Sequence, residues 1–580
     1  MKPRLGALLL VVASLLPAGA RAGVPSPCIG TPRPPANPAF KAQERIFGFH
    51  DEELVICSPG ATSPVHIAAR LWVPATCPGV GGCAGVVIAH GFGFMKELTV
   101  ADMYSAVGRG LYVLSYDVRG QGSSGGQAAF LGRDDIADQA AVLSWWHRKV
   151  RPTKTAFYGL SQGGYLSWTA AVYNCGASRA ANYDSTIPCD AGGRWIDAIA
   201  PLQGPTEYFN DGTCPLFGVE AVVYSRANPA LVTALLPCAT GGAPKVPPGI
   251  FVDVAHRMDR IDVPVYAVTS FYDRLVLPQL VTAAYERLHA RAIDASDPYF
   301  GTDVRLTISN DSHGAVGGNF AVLDDVFAWI QHQVASGPAP RAAKVAIAQE
   351  WDANKFRLES DWPIPGTTDG TFYLARGGSL AAPAGKKADE LRNLPVLASP
   401  PEAPFVGTVV SVNNDRAIRD MRLVYKTAPL AQTMEVTGWP SARIYVSSAN
   451  PKGKGTGQLH LGLSEVTPEG SALEFSHARI GLRGLGSTPV AVDIPFTVAS
   501  HRIDAGNRLM LTITPSDVAI AFPAFGRDAF YVHHDAAAPS SITVPVVPVD
   551  RVPPPGEPPN GAAFTEDPLG AICSALHLPC

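Results

Sequence analysis

Ser161 lies in Gly159-Leu160-Ser161-Gln162-Gly163, between the apolar run Thr155 to Tyr158 and a helix-compatible stretch. Glycines two residues to either side of a serine let a strand double back sharply into a helix, because no Cβ obstructs the close approach, and they leave the hydroxyl exposed above the sheet edge. A serine hydroxyl is a weak nucleophile at neutral pH, so it needs a base, and the base needs an orienting carboxylate. On a parallel sheet these follow in the chain order serine, acid, histidine, each just after a strand. Asp273 follows the apolar run Val263 to Ser270, and His313 follows Val304 to Ser309; both are expected at carboxyl ends of strands, on the rim where open sheets bind ligands. Asp117, Asp262 and Asp311 compete for the acid's role. His90 competes for the base's, but it precedes the serine, so its expected part is to shape its loop. A second Gly-x-Ser-x-Gly, centred on Ser124, runs on to Gly132 instead of straight into a long helix and lacks the strand–turn–helix setting. Two backbone N–H groups are expected to face the developing oxyanion, that of Gln162 and that of Phe92 in His90-Gly91-Phe92-Gly93-Phe94. These parts describe acyl transfer to Ser161 and hydrolysis by water, a chemistry that requires no metal and no organic cofactor.

The elements that must position these residues are legible as alternating short apolar runs and helical stretches. Strands are expected over 66–74, 85–89, 111–116, 196–202, 263–270 and 304–309, and helices over 134–150 and 320–334. Apolar runs of five to seven residues bounded by turn residues, alternating with helices, point to βαβ units and a parallel sheet covered on both faces. About 60 residues without strand alternation separate 202 from 263, which is where a cap over Ser161 would be inserted. After a Pro/Gly/Ala break the texture turns to short β-branched runs separated by turns, at 371–375, 406–412, 434–437, 442–448, 458–463, 490–496 and 508–514. The fold class expected is therefore α/β with a helical cap insertion, followed by an all-β sandwich or jelly roll. The expected domains are 1–22 signal peptide, 23–334 catalytic (cap about 205–262), 335–345 linker, 346–550 β-sandwich and 551–580 a Pro-rich tail with a cysteine pair.

A chain of 580 residues exceeds one ordinary core. A hydrophobic fraction of 47%, charged residues at 17% and a formal net charge of −4 carry no polybasic footprint for nucleic acid or an anionic membrane. Lys2 and Arg4, the apolar run Leu5 to Leu16 and Ala20-Arg21-Ala22 have the form of a secretory signal cleaved after Ala22, which implies a secreted or periplasmic protein. Export gives the ten cysteines meaning. The sequence-near pairs Cys28/Cys57, Cys77/Cys83, Cys175/Cys189, Cys214/Cys238 and Cys573/Cys580 are candidate disulfides, and the absence of Cys-x-x-Cys speaks against metal ligation.

These residues resemble the α/β-hydrolase family that includes X-prolyl dipeptidyl aminopeptidases, bacterial cocaine esterase and α-amino-acid ester hydrolases. The resemblance runs from about residue 50 to about residue 550. It is carried by Tyr116-Asp117-x-Arg119-Gly120-x-Gly122-x-Ser124-x-Gly126, Ser161, Asp273, His313, Trp362-Pro363, Phe372-Tyr373-Leu374, Gly378-x-Leu380 and Val436-Thr437-Gly438-Trp439-Pro440. It implies a helical cap over about 205–262 and a jelly roll over 345–550. Gln162 stands where that family commonly has tyrosine, and the loop at 90–94 contains no tyrosine to act as a phenolic donor. An ester or peptide substrate is implied, with carboxylic-ester hydrolysis first and X-Pro dipeptidyl peptidase activity second. The competing class is a non-catalytic carbohydrate- or surface-binding protein, and the complete order Ser161, Asp273, His313 argues against it.

Overall fold

A computed structural model describes residues 49–548 except 62, 129–130, 175–194, 208–251, 274, 315, 317–318, 350–351, 376–377, 382–387, 393–408, 412–421, 450–454 and 516–528. The expected signal peptide, the Pro-rich tail and residues 208–251 of the expected cap lie outside these residues.

Among the described residues the first sheet has ten strands: β1 (Phe49–Ser58), β2 (Val65–Pro74), β3 (Gly85–Ala89), β4 (Tyr112–Tyr116), β5 (Thr155–Leu160), β6 (Ala198–Leu202), β7 (Val265–Tyr272), β8 (Val304–Ser312), β9 (Val345–Gln349) and β10 (Asp352–Glu359). Their spatial order is β1-β2-β4-β3-β5-β6-β7-β8-β9-β10. From β4 through β9 neighbours run parallel, and antiparallel pairs close the two edges. The central strands β3 and β4 are buried at every position, which is why they read as unbroken apolar runs and not as alternating ones.

Helices α1 (Val100–Val107), α2 (Arg133–Lys149), α3 (Gln162–Val172), α4 (Pro278–Ile293) and α5 (Phe320–Ala335) accompany the sheet. Local chemistry sets their ends. Pro278 occupies the first turn of α4, where a missing N–H costs nothing. Asn319 caps α5 by accepting from Val322 N at 3.3 Å, and Ser336 closes it in a left-handed conformation at φ 56°.

The sheet runs past the Pro/Gly/Ala break. β9 pairs in parallel with β8 and β10 pairs with β9, so residues 345–359, which composition groups with the second domain, extend the first sheet. The break is a crossover within one sheet, and β1 is a further edge strand that the alternation signal does not mark.

The other fourteen strands among the described residues, from Thr368–Ala375 to Ser541–Val547, form an all-β unit. Its pairings are antiparallel except for Ser379 with Lys426. The longest hairpin joins Gly455–Val466 to Ser471–Leu485. The unit has its own core, with Leu374, Ile444, Leu461, Leu511 and Ile542 buried. Val498, Val547 and Trp439, from this half, pack into the core of the first sheet, and an Arg357–Glu435 ion pair joins the two halves.

Of the expected disulfides, Cys77–Cys83 is present with Cα atoms 5.8 Å apart. Cys57 is disulfide-bonded. The other expected pairs lie wholly or partly outside the described residues.

Candidate active site

The turn at Ser161 is built by steric exclusion. A Cβ on Gly163 would lie 2.0 Å from Ala89 O, and one on Gly159 would lie 2.5 Å from the Gly163 carbonyl, so glycine is required at both positions. Helix α3 therefore starts hard against the end of β3. Ser161 is held at φ 59° and ψ −114°, a conformation that L-residues avoid, and it is fixed by its N–H donating to Leu202 O at 2.8 Å. The strain aims the hydroxyl off the sheet edge, at the positive end of the α3 dipole.

His313 reaches this hydroxyl from the turn after β8. Its Nε2 lies 2.8 Å from Ser161 Oγ, and its Nδ1 lies 2.8 Å from Asp273 Oδ2. Asp273 is fully buried after β7, and its other oxygen accepts from the N–H groups of Leu275 (3.0 Å) and Val276 (2.8 Å). The carboxylate is thus fixed by its own loop on one side and by the imidazole on the other. In this arrangement Nδ1–H donates to Asp273 and Nε2 accepts the hydrogen bond of the Ser161 hydroxyl.

His90 is wired differently. Its Nε2 accepts from Val118 N at 3.0 Å, so its proton is on Nδ1, which donates to Gly91 O at 2.7 Å. It is 1% exposed, and burial pushes its pKa down from the ordinary value. The ring is a neutral brace between two loops. Asp117 is likewise committed, accepting from Lys96 N (2.6 Å), Lys96 Nζ (3.2 Å) and Ser123 N (2.8 Å). Asp311 accepts from Asn319 at 3.0 Å. The second serine motif is inert in the same way: Ser124 Oγ donates to Asp117 O at 2.6 Å and accepts from Ala68 N at 2.9 Å, buried at 1% exposure.

The loop expected to supply an oxyanion donor abuts the serine, since a Cβ on Gly91 would come 3.4 Å from Ser161 Cβ and 3.2 Å from the Phe94 ring. Phe94 N donates to Gly91 O at 3.2 Å, closing a turn around Phe92. Gln162, the first residue of α3, faces the same loop through a chain of amides. Gly93 N donates to Gln121 Oε1 (2.7 Å), Gln121 Nε2 to Gln162 Oε1 (2.8 Å), and Gln162 Nε2 to Asp135 Oδ2 (3.4 Å). Asp135 has its pKa pushed up to about 7 by burial and by neighbouring Asp138. The Gln162 side chain is therefore part of the wall that holds the donor loop, and its backbone N–H remains at the helix start. Gln121 was not singled out by type or spacing. Its only sequence signal is its place inside the glycine-rich stretch after β4.

Two families match the sequence. X-Pro dipeptidyl-peptidase (S15 family) matches residues 12–188, and the X-Pro dipeptidyl-peptidase C-terminal non-catalytic domain matches residues 339–543. The cocaine esterase of Rhodococcus sp. (strain MB1 Bresler) is 26% identical over 205 residues, a match spanning 30% of this chain and 34% of the esterase's length. Among solved structures, an α-amino acid ester hydrolase aligns over 91% of this chain and 100% of its own (TM-score 0.66, 16% identity). An aminopeptidase from a marine sediment Thaumarchaeota archaeon aligns over 90% and 99% (TM-score 0.64, 16% identity). A hydrolase of Staphylococcus aureus aligns over 86% and 97% (TM-score 0.59, 11% identity). At these identities the structural likeness is one of fold.

Proposed function

The chain belongs to the family of serine α/β-hydrolases that includes the X-prolyl dipeptidyl aminopeptidases and cocaine esterase, and from that premise we propose that it is an exported hydrolase of carboxylic esters working through an acyl-enzyme. The observation that carries this reading is the unbroken hydrogen-bond chain Asp273–His313–Ser161, each link 2.8 Å, ending at a strained serine. Ser161 Oγ attacks the ester carbonyl as its proton passes to His313 Nε2, and Asp273 holds the resulting imidazolium. The tetrahedral oxyanion is met by the N–H groups of Gln162 and Phe92, each worth roughly 3 kcal/mol of transition-state stabilisation. His313 then protonates the leaving alcohol, and water, deprotonated by the same nitrogen, releases the acid.

A cap over 205–262 fits this reading, because the two ends of that segment meet, as the ends of an insertion do. Val254 N and Ala255 N both donate to Thr206 O, at 2.9 and 3.0 Å. Export fits Lys2 to Ala22 and the Cys77–Cys83 disulfide. Cleavage of X-Pro peptides is the second reading, favoured by the descriptions of both matching families. Gln162 in place of tyrosine, together with a donor loop that lacks tyrosine, places the ester first. The test is a fluorophosphonate probe with peptide mapping, followed by turnover of short-acyl esters, aromatic esters and X-Pro anilides. Labelling at Ser161 with ester turnover is expected. Turnover of the anilides alone would promote the peptidase, and an unlabelled Ser161 would end both readings.

A further inference from the structure

Gln203 follows β6 directly, is fully buried and stands at φ 46°, a costly conformation for a residue with a Cβ. Its own N–H donates to Val268 O at 2.7 Å, on the adjacent β7. Its carboxamide reaches past β7 to the loop of the base. Nε2 donates to Ser270 Oγ (2.7 Å) and to Ser312 O (3.1 Å), and Oε1 accepts from Gly314 N (2.8 Å). Ser312 and Gly314 are the residues on either side of His313. Ser270 Oγ is in turn 2.8 Å from Ser309 Oγ, so the amide is anchored on both β7 and β8.

We propose that Gln203 is the positioning residue of His313, one carboxamide straddling the peptide units before and after the base. The inference rests on the assignment of His313 as general base. The site needs such a clamp because the β7–β8 ladder shifts register between Ser270 and Tyr272, where the histidine loop departs and Gly314 turns at φ 81°. Regular pairing no longer sets the loop's height there. The clamp must offer a donor to the Ser312 carbonyl and an acceptor to the Gly314 N–H at once, which a neutral amide does and an ionised carboxylate does not. A displacement of the imidazole by a fraction of an ångström would be felt at both of its 2.8 Å contacts.

The test uses Gln203→Gly and Gln203→Glu in the full-length protein, with the pH profile of ester hydrolysis and the rate of fluorophosphonate labelling as readouts. Glycine is the residue best suited to φ 46°, so Gln203→Gly removes the amide with the least backbone cost. Its kcat is expected to fall about 10- to 100-fold with KM changed less than about 3-fold. The acid limb of kcat/KM should move to lower pH, as a loosened imidazolium loses Asp273. Gln203→Glu keeps the acceptor, loses the donors and brings a carboxylate beside the loop. Its acid limb should move the opposite way, to higher pH, by a few tenths to about one unit. A role confined to stability would lower the melting temperature and leave both limbs in place. An unmoved limb and kcat in folded Gln203→Gly overturn the clamp; if Gln203→Gly does not fold, the same result in Gln203→Asn, which tolerates φ 46° and is one methylene too short to bridge both peptide units, overturns it alone. Wild-type protein that no fluorophosphonate labels at Ser161 overturns the base assignment itself, and the clamp with it.

Discussion

The first half of the molecule holds the same three residue types twice, and the two sets are wired in opposite ways. At one place Ser161, His313 and Asp273 are joined side chain to side chain, His313 bridging the other two. Elsewhere Ser124, His90 and Asp102 spend theirs on the scaffold: Ser124 and His90 on backbone groups, Asp102 on the Tyr158 hydroxyl at 2.9 Å. Residue type and burial do not distinguish the sets, since Ser161 is 6% exposed and Ser124 1%. The destination of each lone pair does. A side chain whose hydrogen bonds all end on backbone amides is a brace; one that ends on another titratable side chain and on a strained hydroxyl can move a proton.

The serine pair is the largest test of that contrast. Ser161→Ala should lower kcat by about 10⁵- to 10⁶-fold and leave the unfolding midpoint close to wild type. Ser124→Ala should do the reverse, with activity per folded molecule near wild type and stability lower by about 1–3 kcal/mol, since Asp117 O and Ala68 N each lose a buried partner. Comparable activity losses in the two variants would erase the distinction. The histidine pair follows, one step down. His313→Ala should lose about 10⁴-fold or more in kcat, and His90→Ala should cost stability by roughly 1–3 kcal/mol through the orphaned Val118 N–H. Urea titration and steady-state kinetics on the same preparations separate the two effects.

What could be read from the chain follows the same division. The chain order serine, acid, histidine at strand ends was legible, because it depends on runs such as Val304 to Ser309 that are buried on both faces and so carry no alternation to confuse with a surface strand. The extent of the first sheet was not. Val345–Gln349 comes after a Pro/Gly/Ala break that has the composition of a linker, and only its pairing with β8 assigns it to the first sheet. β1 is half-buried, and its apolar positions do not alternate cleanly. Gln121 and Gln203 were illegible for a different reason. A glutamine acts over the length of its side chain, so its role is decided by which loops the sheet brings together, as when Gln203, just past β6, meets the turn that ends β8. In the all-β unit the strands rich in β-branched residues, such as Arg508–Thr514, stood out, while Ser471–Leu485 did not, with glycine and arginine interleaved through it.

The aspartate pair gives the smallest effect and the one whose sign is most informative. Asp273 accepts from an imidazole and two amides, and Asp273→Asn should cost about 10³- to 10⁴-fold in kcat by holding His313 in the wrong tautomer. Asp102, under the sheet on α1, meets only the Tyr158 hydroxyl, and burial pushes its pKa up to about 7, the hydrogen bond from Tyr158 opposing this in part. A carboxyl whose folded pKa lies above its unfolded value of about 3.9 holds more protons folded than unfolded throughout that window. Stability from this group is therefore fully present below about pH 4 and is lost as pH rises through about 7. Asp102→Asn keeps the oxygen that accepts from Tyr158 and removes the titration. The variant should be more stable than wild type at pH 8, by about 1–3 kcal/mol, and should show no such gain at pH 4, with catalysis unchanged at both. Urea midpoints at the two pH values decide it: an equal change at both would mean that burial does not raise the Asp102 pKa on folding, and that the two aspartates differ less than their partners imply.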